Sequence, residues 1–194
     1  LQGLPMGVLG TQIYAAEPKP QGKGKADDRP IEQKESYRWL ETLQDAYAIS
    51  AQLPGVRLVC VGDRESDIFE LFDHRRRQGG AVDLLVRAKH NRCLENEEQK
   101  LFDHMAQGKP KGSATISVPR QREKKGKPSK PGRPSLPARN AQVEVRFREV
   151  TICAPQTPQL KDKKSVKLWA IYLYEKHPPA GATRIKWMLL TTLE

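Results

Sequence analysis

Apolar and polar positions change their spacing several times along the first ninety residues. Gly7-Val8-Leu9-Gly10-Thr11-Gln12-Ile13-Tyr14-Ala15, entered through Leu4-Pro5, reads as a strand. Residues 17–29 mix Pro, Gly and charge and read as a loop. From Glu35 the apolar positions take helical spacing, placing Trp39, Leu40, Leu43, Ala46 and Tyr47 on one face, and Pro54-Gly55 ends that helix. Val56-Arg57-Leu58-Val59-Cys60-Val61 is a β-branched apolar run of the kind that forms a buried strand. A helix over residues 68–77 follows, with Ser66 or Asp67 as its cap, Ile68, Leu71 and Phe72 facing inward, and Gly79-Gly80 as its stop. Asp83-Leu84-Leu85-Val86-Arg87-Ala88 is a further strand. The order β, α, β, α, β predicts an α/β fold with a central sheet.

Beyond Asn91 the texture differs. Residues 97–105 allow one or two helical turns, and strict alternation then dominates at 114–118, 141–153, 166–174 and 185–192. Val143, Val145 and Phe147 alternate with Glu144, Arg146 and Arg148, the period of a half-buried strand. Prolines and lysines separate these runs, which predicts an antiparallel β module, and no internal repeat is present. The expected organisation is an α/β part over 1–94 and a β-rich part over 95–194, with the final strand returning toward the first part.

Charge sharpens this picture. The chain of 194 residues carries a net charge of +11. Ten of its 34 Lys and Arg lie within residues 109–139, where Glu123 is the only acid, so this stretch supplies +9. A concentrated positive block attracts polyanions, which makes nucleic acid the leading partner, with Lys124, Lys125 and Lys127 as candidate phosphate contacts. The same composition also fits a solvated linker. Cys60, Cys93 and Cys153 are widely spaced and cannot all pair, and none belongs to a CxxC or Cys/His cluster. Neither a disulfide framework nor a zinc site is therefore expected, and Cys60 reads as a small buried hydrophobe. No apolar run approaches the roughly 20 residues of a membrane span. The sequence opens at Leu1 without a signal-peptide pattern, and a reducing cytoplasm is the expected compartment.

The most specific stretch is Val59-Cys60-Val61-Gly62-Asp63-Arg64-Glu65-Ser66-Asp67-Ile68. It sets Asp63 just past the C-terminal end of a strand, where open α/β sheets present ligand-binding groups. A carboxylate there offers a hard oxygen to a divalent cation, and two such cations can drive phosphodiester chemistry. By position alone a turn-capping role is the stronger reading for Asp63, and a structural role is favoured for Glu65 and Asp67. A phosphohydrolase built on Asp63 and Asp67 is the weakest reading, because two carboxylates around a helix start need further ligands.

Gly62-Asp63-Arg64-Glu65-Ser66-Asp67-Ile68 resembles the second-aspartate motif of the DDE transposases of the insertion-sequence-four group, relatives of the Tn-five transposase. Four further pieces resemble that family in order: Gly3-Leu4-Pro5-Met6-Gly7-Val8-Leu9, Glu35-Ser36-Tyr37-Arg38-Trp39-Leu40, Leu85-Val86-Arg87-Ala88-Lys89-His90 and Ile185-Lys186-Trp187-Met188-Leu189-Leu190-Thr191-Thr192. The resemblance implies a partial ribonuclease-H-like core followed by an antiparallel all-β insertion. It implies Asp63 as the second Mg²⁺-binding catalytic carboxylate, and Arg87 and Lys89 on the DNA path. It also implies Trp187 as the platform for a base flipped out of the transposon end, where an indole face offsets part of the unstacking cost. Without the resemblance, Trp187 among Ile185, Met188, Leu189 and Leu190 reads as a core aromatic. The implied partners are double-stranded DNA at transposon ends and a second copy in a synaptic homodimer, with no membrane and a bacterial, nucleoid-associated setting.

The chain departs from the family in its carboxylates. The first Asp of the triad is expected upstream of Leu1, and the Tyr-Arg-Glu-Lys signature bearing the third is absent. A lone carboxylate does not fix two Mg²⁺ ions, so an internal fragment, inactive by itself in strand transfer, is expected. A non-catalytic DNA-binding remnant able to poison a full-length transposase is the alternative. Such a fragment would leave Leu58, Val59 and Val61 without cover on one side, an aggregation liability.

Overall fold

A computed structural model of the chain describes every residue except 1, 2, 6, 14–28, 124, 125, 127–131, 133 and 134. Two 3-10 turns, Ile31–Gln33 and Glu35–Tyr37, lead into helix α1, Arg38–Ser50. Its apolar stripe buries Leu40 and Leu43, while Trp39, Ala46 and Tyr47 pack at the margin. Strand β1, Leu58–Gly62, is followed by a 3-10 turn, Arg64–Ser66, and helix α2, Phe69–Gln78. Glu70 in the first turn of α2 and Arg75, Arg76 and Arg77 in the last both complement the helix dipole. Gly79 at φ +85° ends α2 with its N–H on the Arg75 carbonyl, a conformation that disfavours a side chain. Then come β2 (Val82–Arg87), α3 (Leu101–Gln107), β3 (Gly112–Val118), β4 (Arg139–Ile152), β5 (Val166–Tyr174) and β6 (Lys186–Thr191).

The fold is mixed α/β, and all six strands form one curled sheet in the order β1-β2-β6-β5-β4-β3. β1 and β2 are parallel, with Gly62 level with Val86. Every other pairing is antiparallel. β6 sits between β2 and β5, so Leu190 lies opposite both Val86 and Ala170. The last strand thus joins the parallel pair to the antiparallel strands, and Thr191 Oγ1 donates to the Leu84 carbonyl at 2.6 Å.

The helices share a single core with one face of this sheet. Leu43 and Phe72 from the helices meet Val82, Leu84 and Val86 of β2, Leu190 of β6 and Leu168 and Ala170 of β5. Leu101 and Met105 of α3 cover the far end, against Ile152. Each fully buried large apolar side chain contributes on the order of 1.5–3 kcal/mol. On the opposite face a smaller cluster of Ala141, Val143 and Ile185, edged by Ile116, Val118 and Trp187, closes one corner. Beyond that corner the face exposes apolar side chains: Val61 is 72% exposed, Val59 38% and Phe147 40%.

Several expectations require correction. Residues 7–13 form no strand; Val8, Leu9 and Ile13 are exposed, because among the described residues no ladder or core receives them. Tyr14 and Ala15 lie outside the described residues. The apolar run at β1 is buried on one side only: Leu58 and Cys60 pack toward the helices, whereas Val59 and Val61 lack cover. Leu58 therefore does not share their exposure. Phe147 is exposed although Val143 on the same face is buried, since the small cluster covers only the first part of β4. Helix α2 begins at Phe69 after Ile68, without a side-chain cap; Ser66 and Asp67 make other bonds. Among the described residues, no helix is long and apolar enough to cross a membrane.

Candidate nucleic-acid interface

The C-terminal ends of the parallel pair β1 and β2, and the facing start of β6, gather the residues of interest. Gly62 ends β1 where the chain folds back on itself, and a Cβ there would stand 2.0 Å from the Ser66 hydroxyl. Only glycine permits that approach, in which Ser66 Oγ donates to the Asp63 carbonyl at 2.7 Å. Asp63 is exposed, and its Oδ1 accepts the Glu65 N–H at 2.9 Å. One exposed carboxylate thus holds the turn.

The other two acids of the motif are committed. Glu65 accepts from Arg38 Nη2 at 2.6 Å, and Arg38 also reaches Glu35 at 2.9 Å, which ties the start of α1 to this loop. Asp67 is buried, 1% exposed, and bonds on every side. Its Oδ2 accepts the backbone N–H groups of Lys89 (2.6 Å) and His90 (2.8 Å), while Oδ1 accepts from Arg92 Nη2 at 2.6 Å. It fastens the segment after β2 to the loop after β1, a structural role for Asp67 as the sequence suggested, though not as a helix cap.

The register brings Arg87 beside Asp63, one step past the Gly62–Val86 pair. On its other side Arg87 lies opposite Leu189, and its Cζ sits 5.3 Å from the centre of the Trp187 ring. Partial burial, and then the charge of Arg64, pull the Arg87 pKa below its ordinary value, with Asp63 acting against them. Asp63, Arg87 and Trp187 therefore share one end of the sheet. Trp187 is half-buried at the margin of the smaller cluster, so it packs and remains reachable at once. The Ala88 N–H donates to the Met188 carbonyl at 2.8 Å, which carries the ladder on and sets Lys89 level with Trp187 in backbone count. The Lys89 side chain is exposed. Burial lowers the pKa of His90 next to it, Asp67 opposing.

Sequence reasoning passed over Arg64, which stands with Arg87 at this end; its place beside Asp63 was visible, but its facing partner depended on the register. Lys124, Lys125 and Lys127 lie outside the described residues. Among the described residues no group of three or more His, Cys, Asp or Glu could hold a metal ion. A cavity of about 290 Å³ lies elsewhere, between the first 3-10 turns, α1, α2 and the segment before β5. Its lining mixes Arg77 and Lys163 with Glu32 and Asp73 and contains none of Asp63, Arg87, Lys89 and Trp187. No protein-family model matches this chain.

Proposed function

We propose that this chain is part of a bacterial cut-and-paste DNA transposase with a ribonuclease-H-like core, that it contributes the carboxylate Asp63 and a DNA-holding surface, and that it does not cut DNA by itself. The observation that carries this reading is the placement of Arg87 between Asp63 and the Trp187 ring at one end of the sheet. A guanidinium offers a planar pair of donors to a phosphate, and an indole offers a face to an unstacked base. A phosphodiester held by Arg87 and Lys89, with its neighbouring base against Trp187, would pass beside Asp63. The resemblance of five ordered sequence pieces points the same way. Mg²⁺ would supply Lewis-acid and water-activating chemistry, but the described residues offer it only Asp63 from this loop, since Glu65 and Asp67 are engaged. The remaining ligands of a two-metal site would have to come from other carboxylates.

Fluorescence of 2-aminopurine in duplex DNA tests the stacking surface. Binding should weaken roughly 5- to 100-fold in Trp187→Ala for a duplex with an unpaired, extrudable base, and much less for a fully paired one. Equal losses on both duplexes would remove the stacking role. A nicking assay with Mg²⁺ or Mn²⁺ should show no cleavage; cleavage abolished by Asp63→Ala would overturn the claim that the chain is inactive alone. The engaged state of Glu65 and Asp67 favours a second reading, a non-catalytic DNA-binding module that inhibits a full-length transposase by joining its synaptic dimer. Adding the chain to an active transposase and measuring excision separates the two readings.

A further inference from the structure

Two of the three cysteines lie opposite each other. The segment after β2 makes an antiparallel bridge with the end of β4, pairing Leu94 with Ile152. The Glu95 N–H donates to the Thr151 carbonyl at 2.8 Å, and the Cys153 N–H donates to the Cys93 carbonyl at 3.0 Å. One step along that register, Cys93 therefore stands opposite Cys153, joined to it by the bond from the Cys153 N–H to the Cys93 carbonyl. Directly opposed residues share a face, and the Cα atoms of such a pair stand about 5.5 Å apart. That separation falls within the roughly 4.4–6.8 Å that a disulfide spans. Both are free thiols; Cys93 is exposed and Cys153 half-buried. Cys60 belongs to β1, and the sheet order puts three strands between β1 and β4, on the order of 19 Å along the sheet.

We propose that Cys93 and Cys153 are a redox-active pair that closes a cross-strand disulfide when the chain meets a small-molecule disulfide such as oxidised glutathione. The thiolate of exposed Cys93 attacks one sulfur of the oxidant, forming a mixed disulfide and expelling one glutathione thiolate. The Cys153 thiolate then attacks the Cys93 sulfur, forming the protein disulfide and expelling the second glutathione. Two cysteine thiols are oxidised, one glutathione disulfide is reduced, and the two cysteine protons end on the two glutathiones. Burial, with Cys93 and Glu95 nearby and Ser165 opposing, raises the pKa of Cys153, which lowers its thiolate fraction and leaves the first attack to Cys93. The bond encloses α3, β3 and the basic stretch 109–139 in one covalent loop and pins the segment carrying Lys89 and Arg92 to the end of β4. The proposal does not depend on the DNA-binding reading.

The test is oxidation of the 194-residue chain in glutathione buffers, followed by alkylation and non-reducing peptide mapping. The expected product is the 93–153 link, with Cys60 alkylated, and the same link in Cys60→Ser. The oxidised chain should melt higher than the reduced one, on the order of 5–10 °C, and Cys93→Ser and Cys153→Ser should lose that increment. In guanidinium the preference for this pair should vanish. A stable glutathione adduct on Cys93 beside a free Cys153, an even spread over the three pairings, or an unchanged preference in denaturant would each overturn the proposal.

Discussion

Two aspartates four residues apart in one motif should behave oppositely when truncated. Asp67→Ala removes a carboxylate that is wholly enclosed, its side chain 0% exposed, and paired with an Arg92 whose side chain is 8% exposed. The substitution takes the carboxylate from the Arg92 guanidinium, whose Nε already lacks a partner and whose Nη2 keeps the Asp67 backbone carbonyl at 2.9 Å, and leaves the Lys89 and His90 N–H groups without their acceptor. Removing one partner of a buried ion pair costs about 3–5 kcal/mol, because the other charge stays buried. For a chain of this size that corresponds to a fall in melting temperature of roughly 6–20 °C. Asp63→Ala removes one exposed acceptor from a turn and should cost about 0.5–1 kcal/mol. Asp67→Asn should fall between the wild type and Asp67→Ala, since an amide keeps one acceptor and loses the charge. Thermal and urea melts followed by circular dichroism measure all three. If Asp67→Ala lies within about 1 kcal/mol of Asp63→Ala, then Asp67 does not anchor the segment after β2 and the structural account of that carboxylate is refuted.

Acid should expose a second buried pair. The Glu175 pKa is held below the ordinary glutamate value chiefly by its hydrogen bonds from Arg139, against burial and with help from the Ile185 N–H. For a depressed carboxylate the stabilisation is complete above the unfolded pKa, about 4.3, and is lost as pH falls through the folded one. Stability should thus decline below about pH 4.3, and Glu175→Gln should flatten that slope while lowering stability at neutral pH; an identical acid slope in the variant would remove Glu175 as its source. If residues 109–139 hold phosphates, replacing Lys124, Lys125 and Lys127 with Ala should flatten the dependence of log affinity on log salt by about one unit for each phosphate no longer neutralised. An unchanged slope would assign that block to solvent. Val61→Thr should leave the melting temperature within about 1–2 °C, since Val61 is 72% exposed, and should reduce light scattering on concentration. A large destabilisation would mean that the open face is covered in solution.

Most strand positions are legible in the sequence. The expected strand at 166–174 matches β5, and those at 114–118, 141–153 and 185–192 fall within two residues of β3, β4 and β6. The helix from Glu35 starts three residues later, because two 3-10 turns occupy its entrance. Those elements can be read because alternation and helical spacing record which side of an element meets the core, and nearby Pro and Gly mark its ends. Asp63, Arg87 and Trp187 are each visible as candidates, but their meeting is not. It follows from the parallel register of β1 on β2 and from β6 entering between β2 and β5, a pairing across about a hundred residues that no local period encodes.

The misread positions have a common physical origin. Hydrophobic patterning states a preference for burial but not whether a covering surface exists. Val8, Leu9 and Ile13 carry the composition of a strand, and Val59 and Val61 that of a strand buried on both faces, yet all five are exposed. The helices cover one side of the sheet, and the smaller cluster covers the opposite corner only as far as Val143 and Val145. In β4 the consequence is a change of phase: Ala141 and Val143 are buried at one end and Val150 and Ile152 at the other, with Phe147 exposed between them. A single alternating period cannot express that change, because a shift from odd to even burial requires cover to pass from one face to the other. The same limit hides the cysteine pair. Cys93 and Cys153 have no informative spacing in sequence, and it is the bridge between Leu94 and Ile152 that sets them face to face.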